Sequence, residues 1–107
     1  MCEMYSLSGG IAILDPSGRI ESVNEEFCEI TGWSAAAIVG TPIEEIARGA
    51  DDALDSVSES GERWDGELLF TDEARAVRPM AVRLTPVLDE LGEVSGFLVR
   101  VTAPLEA

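Results

Sequence analysis

No histidine and no lysine occur in these 107 residues, so any chemistry must come from carboxylates, arginines, two cysteines and two tryptophans. That excludes a good deal. A His-based catalytic triad, a His-ligated haem and a phosphoacceptor histidine all lack their essential ring. Cys2 and Cys28 stand far apart and form no ligand-spaced pair, so neither a zinc site nor a structural disulfide is expected. Cys28 follows Phe27 with no base nearby in sequence to lower its pKa. It is read as a small packing residue in preference to a redox sensor. The paired acids have helix-surface spacing, and no nucleophile adjoins a base; catalysis by this chain is not expected.

Binding chemistry is better provided for. Trp33 and Trp64 could stack on a flat ligand such as a flavin, but aromatic residues at these spacings more often serve core or lid packing. Arg78 and Arg83 are the candidates for holding a carboxylate or phosphate, against the simpler alternative of a solvated strand face. The charge balance narrows the partners. With 21 acids against 7 arginines the formal net charge is −14, which repels nucleic-acid backbones and anionic lipid alike. A solvated acidic surface is the plain reading. Adaptation to a high-salt interior, where self-repulsion is screened, is the sharper one.

These side chains must be carried by one small domain, since 107 residues can bury a single core and 46% of them are hydrophobic. No apolar run approaches the ~20 residues needed to span a bilayer. The N-terminus lacks the basic-then-apolar order of a signal peptide, so a cytoplasmic location without direct membrane insertion is expected.

The pattern along the chain is legible in order. Residues 1–8 carry little periodicity and are set apart as a terminal segment. Residues 10–14 read as a buried strand, Asp15-Pro16-Ser17-Gly18 as a turn, and 19–23 as a wetter return strand at the sheet edge. Asn24 can cap a short helix with Glu25 and Glu26 in its first turn, Phe27 and Ile30 on one face, and Gly32 as its stop. Ser34 is expected to cap a second helix over 35–39, ended by Gly40. Thr41-Pro42 begins a further turn with Ile43 and Ile46 inward, and 51–59 a helix with Leu54 and Val57 inward.

Two helices as short as the first pair cannot stand alone and need a surface beneath them. Three strands supply it: 63–71, 77–88 and 94–101, with Trp64, Gly66, Leu68 and Phe70 sharing one face. Met80, Val82, Leu84, Phe97 and Val99 are the residues expected beneath the helices. The pattern aliphatic-Leu-Asp-x-x-Gly-x-aliphatic occurs at 13–20 and again at 87–94, and is read as one hairpin turn used twice. The order of elements predicts an α+β domain: an antiparallel sheet with short helices on one face.

This order and its landmarks resemble the PAS domain family of sensor modules over about residues 8–102. The landmarks are Gly10-Ile11, Asp15-Pro16-Ser17-Gly18-Arg19-Ile20, Asn24 with Phe27, Thr31-Gly32-Trp33-Ser34, and Ile38-Val39-Gly40. Trp64-Asp65-Gly66-Glu67, Leu88-Asp89-Glu90-Leu91-Gly92 and Gly96-Phe97 follow. The resemblance implies a five-stranded antiparallel sheet over 9–102, with 103–107 as a linker stub. It also implies a pocket between helices and sheet, for which the candidates are Asn24, Phe27, Ile30, Trp33, Ile38, Ile46, Leu54, Leu68, Met80, Val82, Leu84, Phe97 and Val99.

Such modules pass a signal to a separate output domain, typically a histidine kinase of a two-component system or a transcription regulator, and often pair as homodimers. The family's frequent Asp-Ile-Thr ending reads Arg100-Val101-Thr102 here, and the 72–76 connection lacks the usual Lys-Asp-Gly and reads as longer. The cysteine of the light-sensing flavin branch is missing from the corresponding stretch, about 46–54, so a cysteinyl-flavin photosensor is excluded on the resemblance.

Three functions stay open. They are a small-ligand sensor, a ligand-free dimerisation or protein-interaction platform using the exposed sheet face with Leu69 and Leu98, and a sensor holding flavin non-covalently. No cofactor is required by the sequence.

Overall fold

The computed structural model describes residues 9–102. The terminal segment 1–8 with Cys2, and the stub 103–107, lie outside the described residues. The elements in order are β1 (Gly10–Leu14), β2 (Ile20–Val23), α1 (Glu25–Thr31), α2 (Ala35–Ile38) and a 3-10 turn (Ile43–Glu45). Then come β3 (Ala47–Arg48), α3 (Ala50–Ser60), β4 (Trp64–Thr71), β5 (Val77–Leu88) and β6 (Val94–Thr102). The strands form one antiparallel sheet in the order β2-β1-β6-β5-β4-β3. β1 and β6 are interior and, as the patterning implied, β2 is an edge.

Turn chemistry sets the hairpins. In each of three connections an aspartate side chain accepts hydrogen bonds from the backbone N–H groups two and four residues on. Asp15 takes Ser17 (2.9 Å) and Arg19 (3.0 Å), Asp72 takes Ala74 and Ala76 (both 2.9 Å), and Asp89 takes Leu91 (2.8 Å) and Glu93 (3.0 Å). An aspartate arranged this way mimics a backbone turn and fixes the loop length. The fourth residue must turn left-handed: Gly18 has φ 92°, Gly92 has φ 83°, and Arg75 has φ 71°. The 72–76 connection, expected to be longer, is therefore the same five-residue turn with an arginine where the others carry glycine.

Other departures have local causes. The expected five strands are six among the described residues, because Ala47 and Arg48 pair with Phe70 and Leu69. Two residues carry no alternation to read, and Ala47 is fully buried. β2 begins at Ile20, while Arg19 makes an isolated bridge to Pro42. Ser34 makes no side-chain capping bond, and α2 stops at Ile38, one residue short of expectation. The cap of α3 is supplied from outside it. Glu44 reaches forward from the 3-10 turn and accepts the Asp51 N–H at 2.7 Å and the Gly49 N–H at 3.4 Å. Such a carboxylate satisfies orphan donors and favours the positive helix end. It also crowds Asp51, whose pKa is raised first by desolvation and then by repulsion from Glu44, Asp55 and Asp52.

One face of the sheet is covered by the helices. Ala12, Leu14, Leu68, Phe70, Met80, Val82, Leu84, Phe97, Val99 and Val101 point into a core shared with Phe27 and Ile38. Ile43, Ile46, Leu54 and Val57 close it. The Phe27 and Phe70 rings meet edge to face, 6.5 Å apart at 74°. That arrangement is preferred by aromatic quadrupoles. Gly10 permits the close approach of β1 to α1, since a Cβ there would lie 2.5 Å from the Phe27 Cα. No helix is long and apolar enough to cross a membrane among the described residues.

Candidate functional site

The first candidate region is the inner face, where the sequence placed its ligand contacts. Phe27, Ile38, Ile46, Leu54, Leu68, Met80, Val82, Leu84, Phe97 and Val99 are brought together in one buried cluster, with Ile30 and Trp33 half-buried against it. Asn24 is placed differently. It is exposed at the rim, and its Oδ1 accepts the Phe27 N–H at 2.8 Å and the Ile11 N–H at 3.0 Å. One side chain thus caps α1 and ties that cap to β1. Phe70, Ile43 and Val57 complete the same cluster; their periodicity marked them as inward, but nothing distinguished them as ligand contacts.

Two bonds fasten the cover over this face. The Trp33 indole N–H donates to the Thr71 carbonyl at 2.6 Å, pinning the break between α1 and α2 to the end of β4. The Thr71 N–H donates in turn to the Ile46 carbonyl at 2.9 Å, so one residue anchors the cover from both sides. Within α1, the buried Thr31 hydroxyl donates to the Phe27 carbonyl at 2.7 Å. Arg78 lies at the same rim, 3.7 Å from Asp72 and 3.4 Å from the Ile30 carbonyl. A cation there suits the negative end of α1. Trp33 was legible as a candidate; Thr71 acts through its backbone, which no sequence signal reports.

The outer face of the sheet differs in kind. Asp65 on β4, Arg83 on β5, Arg100 on β6 and Ile11 on β1 are cross-strand neighbours in one row. Asp65 accepts from Nε of Arg83 at 2.8 Å and from Nε of Arg63 at 3.1 Å. These bonds, Arg83 first, hold the Asp65 carboxyl below its ordinary range despite some desolvation. A depression of about 240 Å³ opens beside this row, over Gly66, Ala81 and Val82 with Thr102 at its edge. The neighbouring row, Thr85, Leu98, Ile13 and Ser22, is partly apolar, and Ile13 is 40% exposed.

Cys28 is half-buried on α1. No three Cys, Asp or Glu side chains converge as metal ligands among the described residues.

A family model described as the PAS fold matches residues 5–106. No curated protein matches the sequence. Among solved structures, a PAS domain from Colwellia psychrerythraea is 19% identical, with a TM-score of 0.80, over 89% of this chain and 85% of that one. The PAS domain of an HTR-like protein from Haloarcula marismortui is 27% identical, with a TM-score of 0.74, over 90% and 81%. The light-oxygen-voltage domain of the blue-light photoreceptor Aureochrome1 is 16% identical, with a TM-score of 0.80, over 97% and 88%.

Proposed function

Because the chain belongs to the PAS-fold family, we propose that it is a signal-input module of a larger regulator. A histidine kinase or a transcription regulator is the output this reading favours, with a small ligand received between helices and sheet. The observation that carries the reading is the construction of the cover. α1 and α2 have seven and four residues, and each has its own stop. They lie over an apolar face and are fastened at its rim by Asn24 and Trp33. Short elements held by few bonds sit at the low end of local stability, where a ligand can shift them. A mostly apolar site with a few polar groups at its edge is the usual form of a small-molecule pocket.

Native mass spectrometry of the purified protein, run beside an absorption spectrum and light scattering, tests this. The expected result is a colourless non-covalent ligand released on unfolding. A flavin band would favour the third function, in which the flavin is held without a covalent link. Ligand-free protein that stays so after incubation with cell extract would refute the sensor reading.

A second reading has its own support. The inner face is filled, with Phe27, Phe70 and Phe97 all but inaccessible, while the depression beside Arg83 opens on the outer face. On this reading the module is a ligand-free platform, and its sheet binds a second copy or another protein. Either way the chain acts on a separate output domain and is not itself an enzyme. Its surplus of acids suits a salt-rich, cytoplasmic setting.

A further inference from the structure

Where β4, β5 and β6 alternate onto the core side of the sheet, their described residues include a single charged one. It is Arg78, the cross-strand partner of the buried Phe70. A cation on an apolar face is costly unless its head reaches water or a partner. The Arg78 side chain is half exposed, so its stem crosses the rim of the core and its guanidinium emerges beside the end of α1. Its partners there hold it loosely. Nη2 lies 3.7 Å from the Asp72 carboxylate and 3.4 Å from the Ile30 carbonyl, whereas a charge-assisted bond closes to about 2.7–2.9 Å. Nε and Nη1 make no hydrogen bond among the described residues. Asp72 is itself committed to its turn, with Oδ1 accepting the Ala74 and Ala76 N–H groups. The same rim carries the half-buried Ile30 and Trp33. Gly32 rests so near the turn that a Cβ there would lie 2.9 Å from the Asp72 Cβ. A planar donor group with spare capacity thus stands where the cover meets the apolar face.

We propose that the ligand of this face is an amphipathic monocarboxylate, its carboxylate received by Arg78 and its apolar body lying beneath Ile30 and Trp33. The inference rests on the small-ligand reading of the inner face and names the class of ligand. A guanidinium fork meets a carboxylate in two parallel bonds, which a backbone carbonyl cannot offer. The ligand is therefore the better acceptor and draws Arg78 away from the Ile30 carbonyl. That exchange removes a tie between α1 and β5, which links occupancy to the cover. Charge limits the ligand as well. In a chain of formal charge −14, with Asp72 alongside, one negative charge is tolerated more readily than the two of a phosphate. A small polyacid fits no better, because the core side of β4, β5 and β6 offers no second cation among the described residues.

The test uses the full chain and two matched pairs of probes, decanoate with 1-decanol and indole-3-acetate with indole-3-ethanol. Each pair keeps the apolar body and removes the charge. Isothermal titration calorimetry is expected to show at least one acid binding roughly tenfold tighter than its alcohol, the scale of one charge-assisted hydrogen bond. Arg78→Gln should abolish that preference and leave the alcohol's affinity unchanged, with a cooperative melt showing that the variant is folded. Arg78→Lys keeps the charge without the fork and should retain part of the preference. Arg48→Gln, the same charge loss on exposed β3, should retain all of it. Equal binding of acid and alcohol, or a preference that survives Arg78→Gln, would overturn the carboxylate assignment and leave the small-ligand reading standing. Loss of the preference in Arg48→Gln would refute the assignment too. If no probe binds, the proposal fails. The small-ligand reading then fails with it only if native mass spectrometry finds no bound mass after incubation with cell extract.

Discussion

Arg75 occupies a backbone position that its two counterparts give to glycine, and replacing it tests whether the shared turn has been understood. In the 15–19 and 89–93 turns the left-handed residue is Gly18 or Gly92; in the 72–76 turn it is Arg75, with φ 71°. Left-handed backbone costs an L-residue about 1–2 kcal/mol, of which glycine gives back about 0.5–1 kcal/mol through its freer unfolded chain. Arg75→Gly should therefore stabilise the domain by about 0.5–1 kcal/mol, or about 2–8 °C in Tm. The reciprocal change, Gly92→Ala, should cost a similar amount by strain alone, because a Cβ there meets nothing within 4 Å. Removing an arginine also makes an acidic protein more acidic. Urea unfolding is best followed near molar salt, where charges are screened beyond roughly 3 Å. The expected outcome is opposite shifts of the midpoint at unchanged slope. Arg75→Gly that is neutral or destabilising would refute the strain argument.

Asn24→Ala removes two hydrogen bonds at once, to Phe27 and Ile11, and should lower the urea-derived stability by about 1–2 kcal/mol; Asn24→Asp should recover part of it. Trp33→Phe keeps the ring but loses the bond to Thr71, and should raise amide exchange through α1 and α2 while β5 and β6 stay protected. Trp33→Ala should disturb ligand binding or dimer coupling more than Trp64→Ala at matched stability. Asp15 is held below its ordinary pKa of 3.8 by hydrogen bonds from the Ser17 side chain and then the Arg19 backbone. Its contribution is therefore full above about pH 4 and is lost as pH falls through the lower folded value, so Asp15→Asn should flatten that acid limb in a pH series of unfolding midpoints. The melting temperature of the parent should rise from low to molar salt, as self-repulsion among the 21 acids is screened.

What could be read from the sequence was whatever a residue type enforces locally. Asp15 and Asp89 announced their turns because glycine stood three residues on, and Asn24 announced its helix because its side chain is the cap. The third turn was hidden by the same logic, since Arg75 fills the position that glycine would have marked. Two-residue β3 offered no period, and the true partner of the α3 N-terminus, Glu44, lies outside the helix it caps. The candidate contacts at Met80, Val82 and Leu84 followed from alternation. The union of Asp65, Arg83 and Arg100 did not, because it depends on the register of three strands, which only the folded sheet supplies. Arg78 and Arg83, alike in sequence, proved to serve opposite faces.

The position of β6 governs how this chain can come to be folded at all. Among the described residues it is the last strand in sequence, yet it lies between β1 and β5, with Gly10 opposite Val101. On a ribosome, the β1–β2 and β4–β5 hairpins emerge before it, each with an open edge and an apolar face uncovered. Neither can complete the core, because Phe97, Val99 and Val101 have not been made. Closure of the sheet thus joins the two ends of the described domain, a non-local pairing of the kind that proceeds in milliseconds to seconds. The interval before it is when nascent chains are most open to wrong pairings, and a chain interrupted before Val94 would be left in that state.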